Sequence, residues 1–395
     1  MRINSSGRPL LLLTVVICAV LAGGAARVVQ DQCGPFTDVT PGFCPYVLEL
    51  YYLGITVGTS ATTFSPDDPL TRGQGAVFVA KGLNQSLARS SRRAPLGQWW
   101  TTTPQFAAGL GVTPLGPSPF LCASDGTDIW AVSAVPETSG TVARVRASDG
   151  RLVETWTDAL GAQGVLSAMG RIFVTSNIGF AGQLYMIDPS QPAGLPTTVT
   201  MGLGPSPFGI TFDGSRIWTA DGPSVSIVTP SASVPWPVTP ASSGFQLALG
   251  ALFDGTNVWV TDYAAGTLLR LDSNGAVLQT VTVGTHPEHP TFDGANIWVP
   301  NFGDGSVSVV QASTGTVLTT LTGLPAGGPV AAAFDGRRVM VTTYGGSAVS
   351  LWNAADFAPL GTFSTGPASF PIGACSDGVN FWMTLSGPPA QLARF

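Results

Sequence analysis

Charge is scarce in this sequence. Only 10% of the 395 residues are Asp, Glu, Lys or Arg, Lys81 is the only lysine, and the formal net charge is −6. With a pI near 4.8, the chain lacks the basic footprint of a nucleic-acid-binding protein. Histidine is scarcer still: His286 and His289 are the only two. Disorder is excluded, because a disordered chain combines low hydrophobicity with high charge, and 44% of this one is hydrophobic. Gly (49 residues) and Pro (32) are plentiful, but Gly shows no period of three, which rules out a collagen-like chain. No Cys-x-x-Cys pair occurs, so no zinc ribbon or thioredoxin-type site is indicated. P-loop and G-x-S-x-G patterns are missing too, which removes those routes to phosphate binding and nucleophilic catalysis.

Long apolar runs are absent except at the start. Arg2 and Arg8 precede Leu10 to Leu21, and small residues follow from Ala22 to Ala26. A positive n-region, a short apolar region and a small-residue exit describe a secretory signal peptide over residues 1–26. A membrane anchor would need about 20 apolar residues. Ile17 before Cys18 argues against a lipoprotein site. Export permits disulfides among Cys33, Cys44, Cys122 and Cys375. Cys33 and Cys44 are close in sequence and form the candidate pair. Cys122 and Cys375 lie three and two residues before their aspartates, an offset that in adjacent strands points side chains to opposite faces. A bridge there needs a bulge.

A small helical module is expected over 33–84. Pro45 to Leu53 reads as one helix, and Thr71-Arg72-Gly73-Gln74 has capping-box spacing for a second. Phe36-Thr37-Asp38-Val39, Leu53-Gly54-Ile55-Thr56-Val57-Gly58 and Thr63-Phe64-Ser65-Pro66-Asp67-Asp68-Pro69-Leu70-Thr71-Arg72 together resemble the S-layer homology (SLH) domain. The resemblance implies attachment to a cell-wall polymer or peptidoglycan, with Arg72, Thr71 and Asp38 as candidate polymer-binding residues. It also implies self-association as an alternative role, because one copy stands here where polymer binding usually uses about three. The family's Thr-Arg-Ala-Glu motif is altered, with Gln74 at the acidic position, and Phe43 stands where a Trp is usual. Residues 85–103, with Arg89, Arg92, Arg93 and Pro95, read as a linker.

From 104 to 395 one pattern recurs: an Asp-Gly turn, then an apolar residue and Trp. It stands at Asp125, Asp213, Asp254, Asp293, Asp335 and Asp377, with Met169-Gly170 as a degenerate second copy and Met340 replacing Trp in the sixth. Steps of 39 to 44 residues leave room for four short strands, the size of one β-propeller blade. The expected fold is therefore mainly β: a seven-bladed β-propeller with a small N-terminal helical module. The last repeat ends one strand short, so 104–114 should supply its outer strand and close the ring. Asn296 to Asn301, Gly305 to Val310 and Ser313 to Leu318 resemble the YVTN-type surface-protein propellers.

The repeated Trp residues read as packing and the repeated Asp residues as turn formers. Loops before the inner strands should ring the channel mouth, which nominates Ser118, Phe120, Ser206, Phe208, His286, Glu288 and His289 as binding residues for a protein or glycan ligand. Two His around one Glu make too few ligands for a catalytic metal. The propeller enzyme streptogramin B lyase also uses His and Glu at that face, but its further His and Glu have no counterparts here. The expectation is thus an exported protein of the cell envelope, surface or periplasm, non-catalytic and without a cofactor. The alternative is a lyase- or hydrolase-like enzyme at the channel mouth.

Overall fold

The computed structural model describes residues 35–40, 43, 47, 50–51, 56–79, 111–135, 139–178 and 181–395. The expected signal peptide, the Cys33–Cys44 pair and the 85–103 linker lie outside the described residues. The chain divides into two compact units between Arg89 and Ser90.

The first unit is organised around Phe36, which is buried with Val47 and packed by Val39, Tyr51 and Phe64. Tyr51 meets the Phe36 ring edge-on at 5.3 Å. The carboxylate of Asp38 accepts the backbone N–H groups of Phe64 (2.8 Å) and Ser65 (2.7 Å), which ties the two ends of this core together. Those amides hold the Asp38 carboxyl below the usual range. Gly58 sits at φ +80°, and the Phe36 ring and the Thr63 carbonyl occupy the space a Cβ would need. A helix spans 72–79. Its N-terminus is closed by the expected box: Thr71 N–H donates to Gln74 Oε1 (2.8 Å) and Gln74 N–H donates to Thr71 Oγ1 (3.2 Å).

The second unit is built from four-stranded antiparallel meanders. The fifth repeat is representative: Thr291–Phe292, Asn296–Asn301, Ser306–Gln311 and Thr316–Leu321 pair in sequence order. Five sheets have four strands, and a sixth has seven. The larger one holds two sequence repeats joined through Val238–Phe253. The first half of this strand pairs with Gly222–Val228 and the second with Val258–Asp262, with a register shift between Ala248 and Ala251. First strands of successive repeats touch in cyclic order, and Pro371–Ser376 returns to Pro119–Ser124. Gly111–Pro114 pairs antiparallel with Gln391–Arg394, so the N-terminal segment supplies the last repeat's outer strand, as expected. A ring of radially packed meanders is a β-propeller.

The repeat motif explains why each unit holds its shape. Trp130, Trp218, Trp259, Trp298 and Trp382 are fully buried. In each case the indole N–H donates to the second carboxylate oxygen of the Asp five residues earlier, at 2.7–2.9 Å. The other oxygen accepts turn amides, as Asp254 Oδ1 does from Thr256 (2.8 Å) and Asn257 (2.7 Å). Gly255, at φ +94°, allows the turn. Burial alone pushes the Asp213 carboxyl up, yet the Trp218 indole and the amides of Arg216 and Ser215 bring it down to about 2. In the sixth repeat, where Met340 replaces Trp, Arg338 Nε takes the carboxylate of Asp335 at 2.8 Å. Arg144, Arg216, Arg270 and Arg394 lie over the Trp faces at 5.4–5.8 Å, which completes the packing.

Cys122 and Cys375 form a disulfide, with Cα atoms 5.8 Å apart. This corrects the expectation from their offset. Opposite faces fail to meet when two strands share a sheet. Neighbouring blades, however, stack face to back, so it is the opposite faces that come together. The bridge is buried with Ile129, Val145, Trp382 and Leu392 at the junction where the ring closes.

Candidate functional site: the channel mouth

The loop Thr285–Pro290 leads into the first strand of the fifth repeat and is sewn in on both sides. Phe302 N–H donates to the His286 carbonyl (2.9 Å), and Glu288 N–H donates to the Pro300 carbonyl (2.8 Å). Toward the next repeat, His289 N–H donates to the Val330 carbonyl (3.0 Å), and Ala332 N–H donates to the His289 carbonyl (3.1 Å). His286 adopts a left-handed backbone, φ 55°, which a non-glycine residue holds only at a cost of about 1–2 kcal/mol. This geometry lays its ring flat on Tyr263, with centroids 4.4 Å apart at 11°.

Glu288 and His289 follow in the same loop. Their side chains approach at 3.8 Å, Oε2 to Nε2. His289 is buried, and its Nε2 has no hydrogen-bond partner. Phe120, on the first strand of the first repeat, meets the His289 ring edge-on at 6.1 Å. The first and fifth repeats are not neighbours in the cyclic order, so this contact crosses the channel. Burial pushes the Glu288 carboxyl up to about 8 and the His289 imidazole down to about 4. Both groups are therefore neutral near pH 7. Burial also raises the Tyr263 phenol, with a further contribution from the Glu288 charge.

Of the expected rim set, the structure sets Phe120 and Glu288 against His289, while His286, in the same loop, stacks on Tyr263. Ser118 is exposed in a left-handed turn at φ 52°. Ser206 and Phe208 are half-buried near the third repeat's second strand, where Phe208 N–H donates to the Ala220 carbonyl at 2.8 Å. A second aromatic pair, Tyr344 and Phe370 (5.1 Å), joins the sixth and seventh repeats at corresponding loop positions.

Sequence reasoning missed Tyr263, and it missed a set of buried threonines that position the mouth. Thr261 Oγ1 accepts the Gly250 N–H (2.8 Å) and donates to the Glu288 carbonyl (2.9 Å). Thr175 links Gly164 to the Phe208 carbonyl in the same way. Thr342 links Ala331 to the Ile372 carbonyl, and Thr384 links Gly373 to that of Phe120. Each hydroxyl therefore joins its own repeat's first strand to the next repeat's. The available signal was a Thr two residues after the central Trp, Phe or Met, and the first, third and fifth repeats carry Val132, Ala220 and Pro300 there instead.

In the first unit, Arg72 is exposed and makes no ion pair with a described residue. Thr71 is committed to the helix cap, and Asp38 to the two amides it accepts. Among the described residues no group of three or more His, Cys, Asp or Glu could hold a metal ion.

Comparison with known proteins matches this architecture. The described second unit is similar to a streptogramin B lyase structure, with TM-score 0.58 and 16% identity over 72% of this chain and 96% of that one. It is similar to the WD40 β-propeller domain of Doa1, with TM-score 0.58 and 12% identity over 72% and 95% of the two chains. At such identities the likeness shows the fold alone. An endoglucanase of Bacillus sp. (strain KSM-635) is 36% identical over 98 residues, 24% of this chain and 10% of that protein, so the chain spans about a tenth of that relative's length. The family model for the S-layer homology domain matches residues 35–76. The chain therefore carries an S-layer homology domain, the signature of a protein attached to the cell envelope, followed by a β-propeller.

Proposed function

We propose that this is an exported, non-catalytic protein of the cell envelope whose S-layer homology domain associates with a wall polymer and whose propeller presents a binding surface at the channel mouth. We count seven blades, one per sequence repeat, and take them as YVTN-type. The joining of an S-layer homology domain and a closed propeller in one chain carries this reading. No helix among the described residues is long and apolar enough to cross a membrane.

Arg72 is the residue assigned to the polymer. Its exposed, unpaired guanidinium suits a carboxylate or pyruvyl group. Thr71 and Asp38 support it by fixing the helix start and the adjoining loop. The test is sedimentation with purified cell-wall sacculi. Wild type should pellet, and Arg72→Ala should bind about tenfold or more weakly, the loss expected for one charge-assisted contact. Equal pelleting of the two proteins would remove Arg72 from the site, and no pelleting of either would remove the wall from the proposal. Phe43, Val57, Leu70, Val77 and Val79 of this unit are each more than half exposed, which favours self-association as well. That role predicts multimers that persist after the polymer is removed.

The Glu288–His289 pair supports a second reading, an enzyme at the same mouth, because a carboxyl kept neutral near pH 7 is suited to proton donation. Replacing His286, Glu288 and His289 together separates the two. An enzyme loses all turnover, whereas a binding module keeps its fold and has no turnover to lose.

A further inference from the structure

We propose that the channel mouth binds an organic cation, an alkylammonium or guanidinium group, held between the carboxyl of Glu288 and the aromatic faces around it. This rests on the reading of the mouth as the propeller's binding face. The wall-sedimentation test through Arg72 does not involve Glu288, so either can fail without the other.

The argument starts from what Glu288 lacks. Its carboxyl accepts no hydrogen bond from any described residue. Its nearest ionisable partner is His289 Nε2 at 3.8 Å, itself without a hydrogen-bond partner and buried. Buried polar groups are normally satisfied, and the unpartnered His289 Nε2, beside a half-buried carboxyl that accepts no hydrogen bond, marks a place where a ligand supplies the missing contacts. The Glu288 side chain retains 14% exposure, so a ligand can reach it.

The surroundings select the charge. Burial is the one influence that moves the Glu288 carboxyl; no Arg or Lys neutralises it. The other titratable groups of the cluster are His289, His286 and Tyr263. An anion would find only a neutral imidazole and a carboxyl, neither of which offers it a positive charge. A hard metal ion would lack ligands, since no group of three donors exists among the described residues. An organic cation gains from both parts of the site. It forms a charge-assisted hydrogen bond with the carboxylate and lies against the stacked Tyr263 and His286 rings and the Phe120 edge. The left-handed backbone at His286 holds that stack in place before any ligand arrives.

Binding a cation should ionise Glu288 and expel its proton. The probe is n-butylammonium chloride, with butanol as the uncharged control, measured by titration calorimetry on the whole protein in phosphate and in MOPS at pH 7. The expected result is saturable binding, release of close to one proton, and affinity that rises about tenfold per pH unit up to about pH 8 and then levels. Glu288→Gln should lose binding at least tenfold while unfolding at the same or higher urea. N-acetyl-lysine N-methylamide distinguishes the source of the group: binding as tight as that of butylammonium points to a lysine side chain on a partner, and weaker binding to a free amine. Equal binding of butanol, no proton release, or undiminished binding by Glu288→Gln would each overturn the proposal. The pH series on wild type alone decides the matter if the variant does not fold.

Discussion

The Cys122–Cys375 bridge closes a loop of 253 residues, nearly the whole propeller. In the chain-entropy model a cross-link stabilises by restricting the unfolded chain, and a loop of this length gives about 5 kcal/mol at 25 °C. The folded ring is also closed by Gly111–Pro114 pairing with Gln391–Arg394 and by the Thr384 hydroxyl on the Phe120 carbonyl. Those contacts exist only in the folded state, so they do not duplicate an effect that acts on the unfolded one. Measured values fall below the model where the unfolded chain keeps structure, so the expected loss for Cys122→Ala/Cys375→Ala is about 3–5 kcal/mol. With an m-value near 3 kcal/mol/M in urea, the unfolding midpoint should drop by about 1–1.7 M. Tryptophan fluorescence reports the transition, since eight indoles are buried in the repeats. Dithiothreitol should bring wild type to the variant's midpoint and leave the variant unmoved. A variant midpoint within about 0.3 M of oxidised wild type, roughly 1 kcal/mol, would refute the reasoning.

Two further outcomes follow from the mouth. Thr261→Val keeps the side-chain shape but leaves the buried Gly250 N–H and Glu288 carbonyl without their partner, so it should cost about 2–4 kcal/mol in urea unfolding; a loss under about 0.5 kcal/mol would mean that the hydroxyl does not join the repeats. The second is a pH profile. The Glu288 carboxyl is raised from 4.5 to about 8 on folding, so its contribution is fully present below pH 4.5 and lost as pH rises toward 8. His289 is lowered from 6.5 to about 4, so its contribution is present above pH 6.5 and lost as pH falls toward 4. The two oppose each other between pH 4.5 and 6.5. Above 6.5 Glu288 acts alone, and stability should fall by up to about 1.4 kcal/mol per pH unit. Glu288→Gln should flatten that limb, and an unchanged slope would mean that the carboxyl is not buried in solution.

Much of the fold was legible because its determinants lie close together along the chain. An Asp-Gly turn followed five residues later by Trp is a local unit, and so is the Thr71–Gln74 box. The first strand pairings of the fifth repeat were readable to within a residue or two for the same reason. The part of the Asp role that went unread is the indole it accepts, which requires the strand to have formed and turned the Trp inward. The threonine bridges were harder to see, since only Thr175, Thr261, Thr342 and Thr384 carry them and their acceptors lie in the next repeat.

The sequence by itself determined the repeat, the turns, the helix cap and the strand that closes the ring, because each depends on residues that are neighbours in the chain or on one unmatched strand at each end. Tertiary structure alone decided that Cys122 meets Cys375, that Phe120 reaches His289 across the channel, that Tyr263 and His286 stack, and that the half-buried Glu288 carboxyl sits beside His289 with no hydrogen-bond donor. Those facts depend on how blades stack face to back and how far the ring closes. Ring closure is the summed result of every repeat's packing, and no short segment encodes it.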